Sequence, residues 1–171
     1  MKTGAQMLKH KVNVHCENNE ALCGDYKSLI EKAINKALES ENADTLCVVN
    51  VLITNDETIR AYNRDYRGID SATDVLSFPM QELSDAGWSA LRKPEYDEDT
   101  GDLPLGDIVI STETVIPQAK QYGNTNEYET AYLIIHSTLH LIGYDHDFDD
   151  NEKIMHNKAK MILKKLGYIL K

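Results

Sequence analysis

Residues 46–54, LCVVNVLIT, form an apolar run rich in β-branched side chains, and such a run reads as a buried strand. Helical periods stand on either side of it. Before it, Asp25 opens a helix in which Tyr26, Leu29, Ile30, Ala33, Ile34, Ala37 and Leu38 recur at i, i+3 and i+4 as one apolar stripe. After it, Thr54 and Glu57 have capping-box spacing, which starts a helix carrying Ile59, Tyr62 and Tyr66 along one buried side. Further strands are expected at 11–16, at 74–78 with Pro79 as the stop, and at 105–111 (LGDIVIS). Pro117 belongs in a first turn, so the helical stretch that ends near 122 is expected to start close to it. Residues 126–142 give the strongest helix, closed by Gly143, and Asp149 opens a last one with Met155, Ala159, Ile162 and Leu166 as its stripe. This alternation predicts an α+β fold: one domain over 1–171, with a small mixed β-sheet packed with helices.

Composition narrows the class. The chain has 171 residues, 42% hydrophobic and 27% charged, which excludes collagen-like, disulfide-scaffold and wholly disordered proteins. No apolar run approaches the ~18 residues of a membrane span, and the first residues contain no apolar signal core. Cys16, Cys23 and Cys47 form no CxxC pair, so neither a disulfide framework nor a thiolate metal site is expected, and the expected location is cytoplasmic. The formal charge is −10, from 18 basic and 28 acidic residues, and this argues against a protein that coats nucleic acid. The charge is uneven, however. Residues 81–104 hold seven carboxylates against Arg92 and Lys93, a net −5 within one acidic loop or excursion at 80–104. Unstructured loops of more than ~12–15 residues are uncommon and tend to be functional or disordered.

The chemistry concentrates in residues 136–146, HSTLHLIGYDH. His136 and His140 stand four apart on the strongest helix, so both side chains leave one face about one turn from each other. Gly143 then lets the backbone turn out of the helix, and the reversal can return His146 to the same ion. Three imidazoles at ~2.0–2.1 Å suit zinc and leave a fourth position for water. The spacing is that of metzincin proteases, but those carry a Glu after the first histidine where this chain has Ser137. A serine cannot serve as a general base near neutral pH. Either another carboxylate does so or the metal itself activates the water, and a peptidase remains only an alternative. His10, His15 and His156 have no such context and read as ordinary histidines.

The run HSTLHLIGYDH resembles the signature H-G-x-L-H-L-x-G-Y-D-H of the YbeY family of metal-dependent endoribonucleases. Residues 63–79, NRDYRGIDSATDVLSFP, are similar to that family's N-x-x-Y-R-x-x-D-x-P-T-D-V-L-S-F-P, and LGDIVIS to its second sheet motif. Ser137 stands where the signature has glycine, and Ala72 where it has proline. The resemblance implies a zincin-like site with His136, His140 and His146 as metal ligands and Arg67 as the functional arginine. It also implies single-strand-specific cleavage of ribosomal RNA, including small-subunit 3′-end processing and ribosome quality control. The expected cofactor is one Zn2+ per chain, because three imidazoles suit it, with another divalent transition metal as the alternative. The implied partners are ribosomal RNA, ribosomal proteins and a ribosome-associated GTPase. Arg67 suits that role on chemical grounds, since a guanidinium stays charged and grips phosphate with two N–H groups. A non-catalytic assembly factor with a structural zinc is the second alternative. Asp74 and Asp107 are candidate partners for the ligand N–H groups, and Tyr62 and Tyr66 read as core.

Overall fold

The computed structural model describes residues 8–17, 20–83, 85–145 and 149–168. In chain order the elements are β1 (Lys11–Cys16), α1 (Glu20–Ser40), β2 (Cys47–Thr54), α2 (Asp56–Arg67), β3 (Val75–Pro79), β4 (Leu103–Ser111), α3 (Thr112–Tyr122), α4 (Asn126–Leu141) and α5 (Asp149–Lys165), with a single 3-10 turn at Trp88–Ala90. The strands form one mixed sheet in the order β1-β2-β4-β3; β1, β2 and β4 run parallel, and β3 closes the edge antiparallel to β4. The expected α+β class and small mixed sheet are what the chain forms.

Strand alternation divides the core in two. Val49, Val51, Ile53, Ile108 and Ile110 turn to one face and meet the stripes of α1, α4 and α5, including Ile30, Ile34, Ile134, Leu139, Met155 and Ile162. The other face is more thinly covered. There Ile59 of α2 meets Leu76 and Val109, with Leu52, Tyr62 and Phe78 around them. Leu105 joins the first face because the β2–β4 register slips at Val48/Val49, which puts a bulge beside Gly106.

Several local expectations give way to tertiary context. Thr54 does not cap α2. It ends β2, is buried, and donates its hydroxyl to Glu17 Oε2 at 2.9 Å. Asn55 caps instead, accepting from the Thr58 N–H at 2.9 Å. Asn55→Ala is therefore expected to cost about 1 kcal/mol, read as a lower urea midpoint with an unchanged slope. Helix α1 starts at Glu20 rather than Asp25, running through Gly24; over 21 residues the single glycine penalty of about 1 kcal/mol is outweighed. Pro117 lies inside α3 rather than in its first turn. Cys47 is free and buried, its thiol pushed up to about 12 by burial and then by Asp44. Cys16 is disulfide-bonded, contrary to expectation, because a disulfide depends on how closely two thiols approach in the fold, which the absence of CxxC spacing does not report.

The acidic excursion is built rather than loose. Gln81 clamps its two ends, donating to the carbonyls of Glu95 and Pro104 and accepting from the Glu95 N–H. Leu83 bridges to Leu91, and the Gly87 N–H donates to the carbonyl of Ile142 at 2.9 Å, so the excursion packs on the C-terminal end of α4. Among the described residues, no helix is long and apolar enough to cross a membrane.

Candidate functional site

Helix α4 begins at its Thr125 cap, whose hydroxyl accepts from the Tyr128 N–H, and ends by tightening at Ile142. Gly143 follows at φ +91°, and the Tyr144 N–H returns to the carbonyl of Leu139 at 3.1 Å. A β-carbon on Gly143 would lie 2.7 Å from the carbonyl oxygen of Asp85, so the turn is glycine both for its conformation and for the excursion pressed against it.

That turn organises the histidines. The Tyr144 carbonyl lies 2.7 Å from His140 Nδ1. A carbonyl can only accept, so Nδ1 carries the proton and Nε2 presents its lone pair. His140 Nε2 lies 3.1 Å from His136 Nε2, with the two rings edge-on at 83°. Two nitrogens bound tetrahedrally at ~2.0–2.1 Å from zinc would stand roughly 3.3 Å apart, so this pair matches one edge of such a site. His146 lies outside the described residues. Among the described residues no three metal-ligating side chains come together.

Both histidines line a cavity of about 1090 Å³ that Arg67 also lines. Arg67 is the last residue of α2, held there by the Gly68 cap at φ +71°. On the same helix Arg60 grips Asp70 with two bonds of 2.7 and 2.9 Å, and Arg64 pairs with Asp65. Among the described residues Arg67 has no ion pair. The loop beyond it is pinned by buried Asn63, which donates to the Ser71 carbonyl at 2.9 Å, so Ala72 leaves the segment tethered without the family's proline. Ser137 is fully buried in α4 and its hydroxyl finds no partner among the described residues, so it neither breaks the helix nor offers a base.

The cavity contains polar residues that the motif did not reveal. Buried Glu129 accepts from Gln118 at 3.0 Å and from Asn124 at 2.8 Å. The same Gln118 amide donates to Asp74 Oδ2 at 3.0 Å, so Asp74 braces α3. Tyr132 stacks on His136 at 5.9 Å, and burial, ahead of Glu129, pushes its hydroxyl up to about 12. It therefore remains protonated beside His156 Nδ1, 2.9 Å away. His156 is held below the usual histidine range, first by burial and then by Lys160. Glu129, Tyr132, His136 and His140 recur at helical spacing along α4, a signal present in the sequence; His156 and Gln118 arrive from other helices and leave none. Asp107 is absent from the residues lining this cavity and lies on the other side of the sheet.

The family model for endoribonuclease YbeY matches residues 12–167. The chain belongs to the endoribonuclease YbeY family. It is 41% identical over 144 residues to the endoribonuclease YbeY of Clostridium kluyveri, covering 81% of this chain and 88% of that protein. With the endoribonuclease YbeY of a Thermoanaerobacter species it shares 43% identity over 142 residues, 82% of this chain and 87% of the relative. The same enzyme of Lachnoclostridium phytofermentans is 36% identical over 161 residues, spanning 91% and 98% of the two chains. The solution structure of TM1509 from Thermotoga maritima superposes with a TM-score of 0.55 at 29% identity, covering 90% of this chain and 87% of that one. The YbeY-like blocks around Arg67 and around His136 are thus far apart in sequence and meet at one cavity.

Proposed function

We propose that this chain is a metal-dependent endoribonuclease that cleaves single-stranded RNA in the cytoplasm during ribosomal RNA maturation, at the small-subunit 3′ end and in ribosome quality control. The observation that carries the reading is the His136–His140 nitrogen pair, 3.1 Å apart, opening into a cavity that Arg67 also lines. His136 and His140 would hold the metal, with His146 as the third ligand. A bound divalent metal, zinc by the preference of imidazole donors, supplies Lewis-acid polarisation of a phosphate oxygen and activation of water.

The chain's own residues do the positioning. The bond from His140 Nδ1–H to the Tyr144 carbonyl fixes the ring and leaves the Nε2 lone pair as the nitrogen that would hold a metal. Arg67, without a carboxylate partner among the described residues, is available to grip the scissile phosphodiester and to offset the charge that grows on its oxygens. The relatives' name, endoribonuclease, supports RNA as the substrate, and buried Ser137 at the position of the protease glutamate disfavours peptide hydrolysis. The proposed partners are ribosomal RNA, ribosomal proteins and a ribosome-associated GTPase.

The test incubates purified protein with single-stranded RNA and with casein, each with and without chelator. RNA cleavage that stops on chelation is expected, and Arg67→Ala is expected to slow it about a hundredfold with metal content unchanged. Cleavage of casein alone overturns the reading. Cleavage at the wild-type rate in Arg67→Ala, together with a fall in melting temperature on metal removal, favours a structural metal.

A further inference from the structure

A second cavity, of about 560 Å³, opens on the sheet face turned away from the α1–α4–α5 core. Its floor is one rung in register across all four strands: Asn13 of β1, Asn50 of β2, Asp107 of β4 and Phe78 of β3. Asn13 Nδ2 donates to Asn50 Oδ1 at 2.9 Å, and Asn50 Nδ2 donates to Asp107 Oδ1 at 2.8 Å. Asn50 is exposed although β2 is an interior strand, so the middle of this face is open. Along its rim Tyr66 stacks on Tyr62, with centroids 5.9 Å apart and planes 15° apart, and meets Phe78 edge-on at 5.3 Å. Tyr66 is 70% exposed, which overturns its reading as core: α2 buries Ile59 against Leu76 and Val109, and Tyr66 lies outside that cluster.

We propose that this face binds the bases of single-stranded RNA running out of the histidine cavity. The proposal rests on the RNA reading above and adds where the rest of the strand lies. Its chemistry selects bases over phosphates. The Asp107 carboxylate repels a phosphate but accepts from the exocyclic amino group of a base, and the Asn amides both donate and accept. The exposed ring of Tyr66, backed by half-buried Tyr62, offers a stacking surface for an unpaired base, as open sheet faces do in RNA-binding modules. His15 and Lys27, which also line the cavity, leave room for backbone charge at its far end.

Continuity with the first cavity supplies the path. Tyr66 and Arg67 are consecutive, and the first lines this cavity while the second lines that of the histidines. On β3 the same division recurs: Phe78 belongs to this face, and Ser77 and Pro79 line the histidine cavity. A strand held at Arg67 thus crosses the end of α2 directly onto Tyr66.

The test compares full-length wild type with Tyr66→Ala and Asn50→Ala on single-stranded RNA of about three and about twelve nucleotides, lengths below and within the usual site sizes of stacking platforms. Tyr66 is exposed, so its replacement leaves the core intact. For the longer RNA, loss of one stacked base is expected to raise KM about tenfold at constant kcat. The shorter RNA is expected to show no difference, and cross-links from 4-thiouridine to Tyr66 are expected in wild type with the longer RNA alone. Equal KM for wild type and variants at both lengths overturns the proposal while leaving the endoribonuclease reading standing. A change in oligomeric state by sedimentation with RNA affinity unaltered overturns it in favour of an interface between copies of the chain. Failure of the wild type to bind or cleave either RNA removes the underlying reading and this one together.

Discussion

His140→Ala is expected to release the metal and to lower RNA cleavage by at least about a hundredfold, since even residues that only orient metal ligands are worth about 10–100-fold. Two functions end in one substitution. Nε2 is one of the pair that stands 3.1 Å apart, and Nδ1–H holds the Tyr144 carbonyl that closes the turn after α4. Elemental analysis of the purified variant checks the first loss and a cleavage assay the second. Far-UV circular dichroism checks that the helix survives, as it is expected to do, because the inward stripe of Ile134, Ile135, Leu139 and Leu141 does not depend on the imidazole. A variant that retains a full complement of metal and cleaves normally would refute the assignment of His140.

Gly106→Ala is expected to destabilise the fold by more than about 3 kcal/mol, among the larger effects a single substitution produces. Gly106 has φ +142°, and a β-carbon there would fall 2.2 Å from the carbonyl oxygen of Phe78 and 3.0 Å from the side chain of Leu141. The first contact is backbone of the neighbouring strand, where β3 pairs Pro79 with Gly106, so relief requires β3 to move away from β4. The second is the last residue of α4, one beyond His140. Gly123→Ala separates conformational strain from collision: its φ is +70° and nothing lies within 4 Å of the added carbon. That control is expected to cost only about 1 kcal/mol. Urea denaturation of both variants reads the difference, and equal midpoints would show that β3 yields freely.

Much of the architecture could be read from periodicity. Strands β1 to β4 and the stripes of α1, α4 and α5 lie within a few residues of where alternation and i, i+3, i+4 spacing put them, because burying those faces is the dominant favourable term. The misreadings have local causes. Thr54 had the spacing of a cap, yet its hydroxyl was already committed to Glu17 within the sheet, and Asn55 was free to take the role. Tyr66 shared a stripe with Ile59, but the small cluster on this face of the sheet takes in Ile59 and leaves Tyr66 70% exposed. Asp107 was a plausible brace for a histidine until strand alternation, with Asp107 in register beside Asn50, turned it to the opposite face.

By itself the sequence determined that a helix would present His136 and His140 together and that a glycine would bend the chain after them. Both follow from backbone geometry within a few residues. It also determined family membership, through blocks whose residue types are too specific to arise from folding requirements alone. Tertiary structure alone decided that Arg67, from a helix separated by two strands, a long excursion and α3, would share the cavity of those histidines. It also decided that Gln118 and His156 would join them, and that one rung of side chains would lie open on the far side of the sheet. Such meetings depend on how elements distant in the chain pack and register, and no local spacing records that.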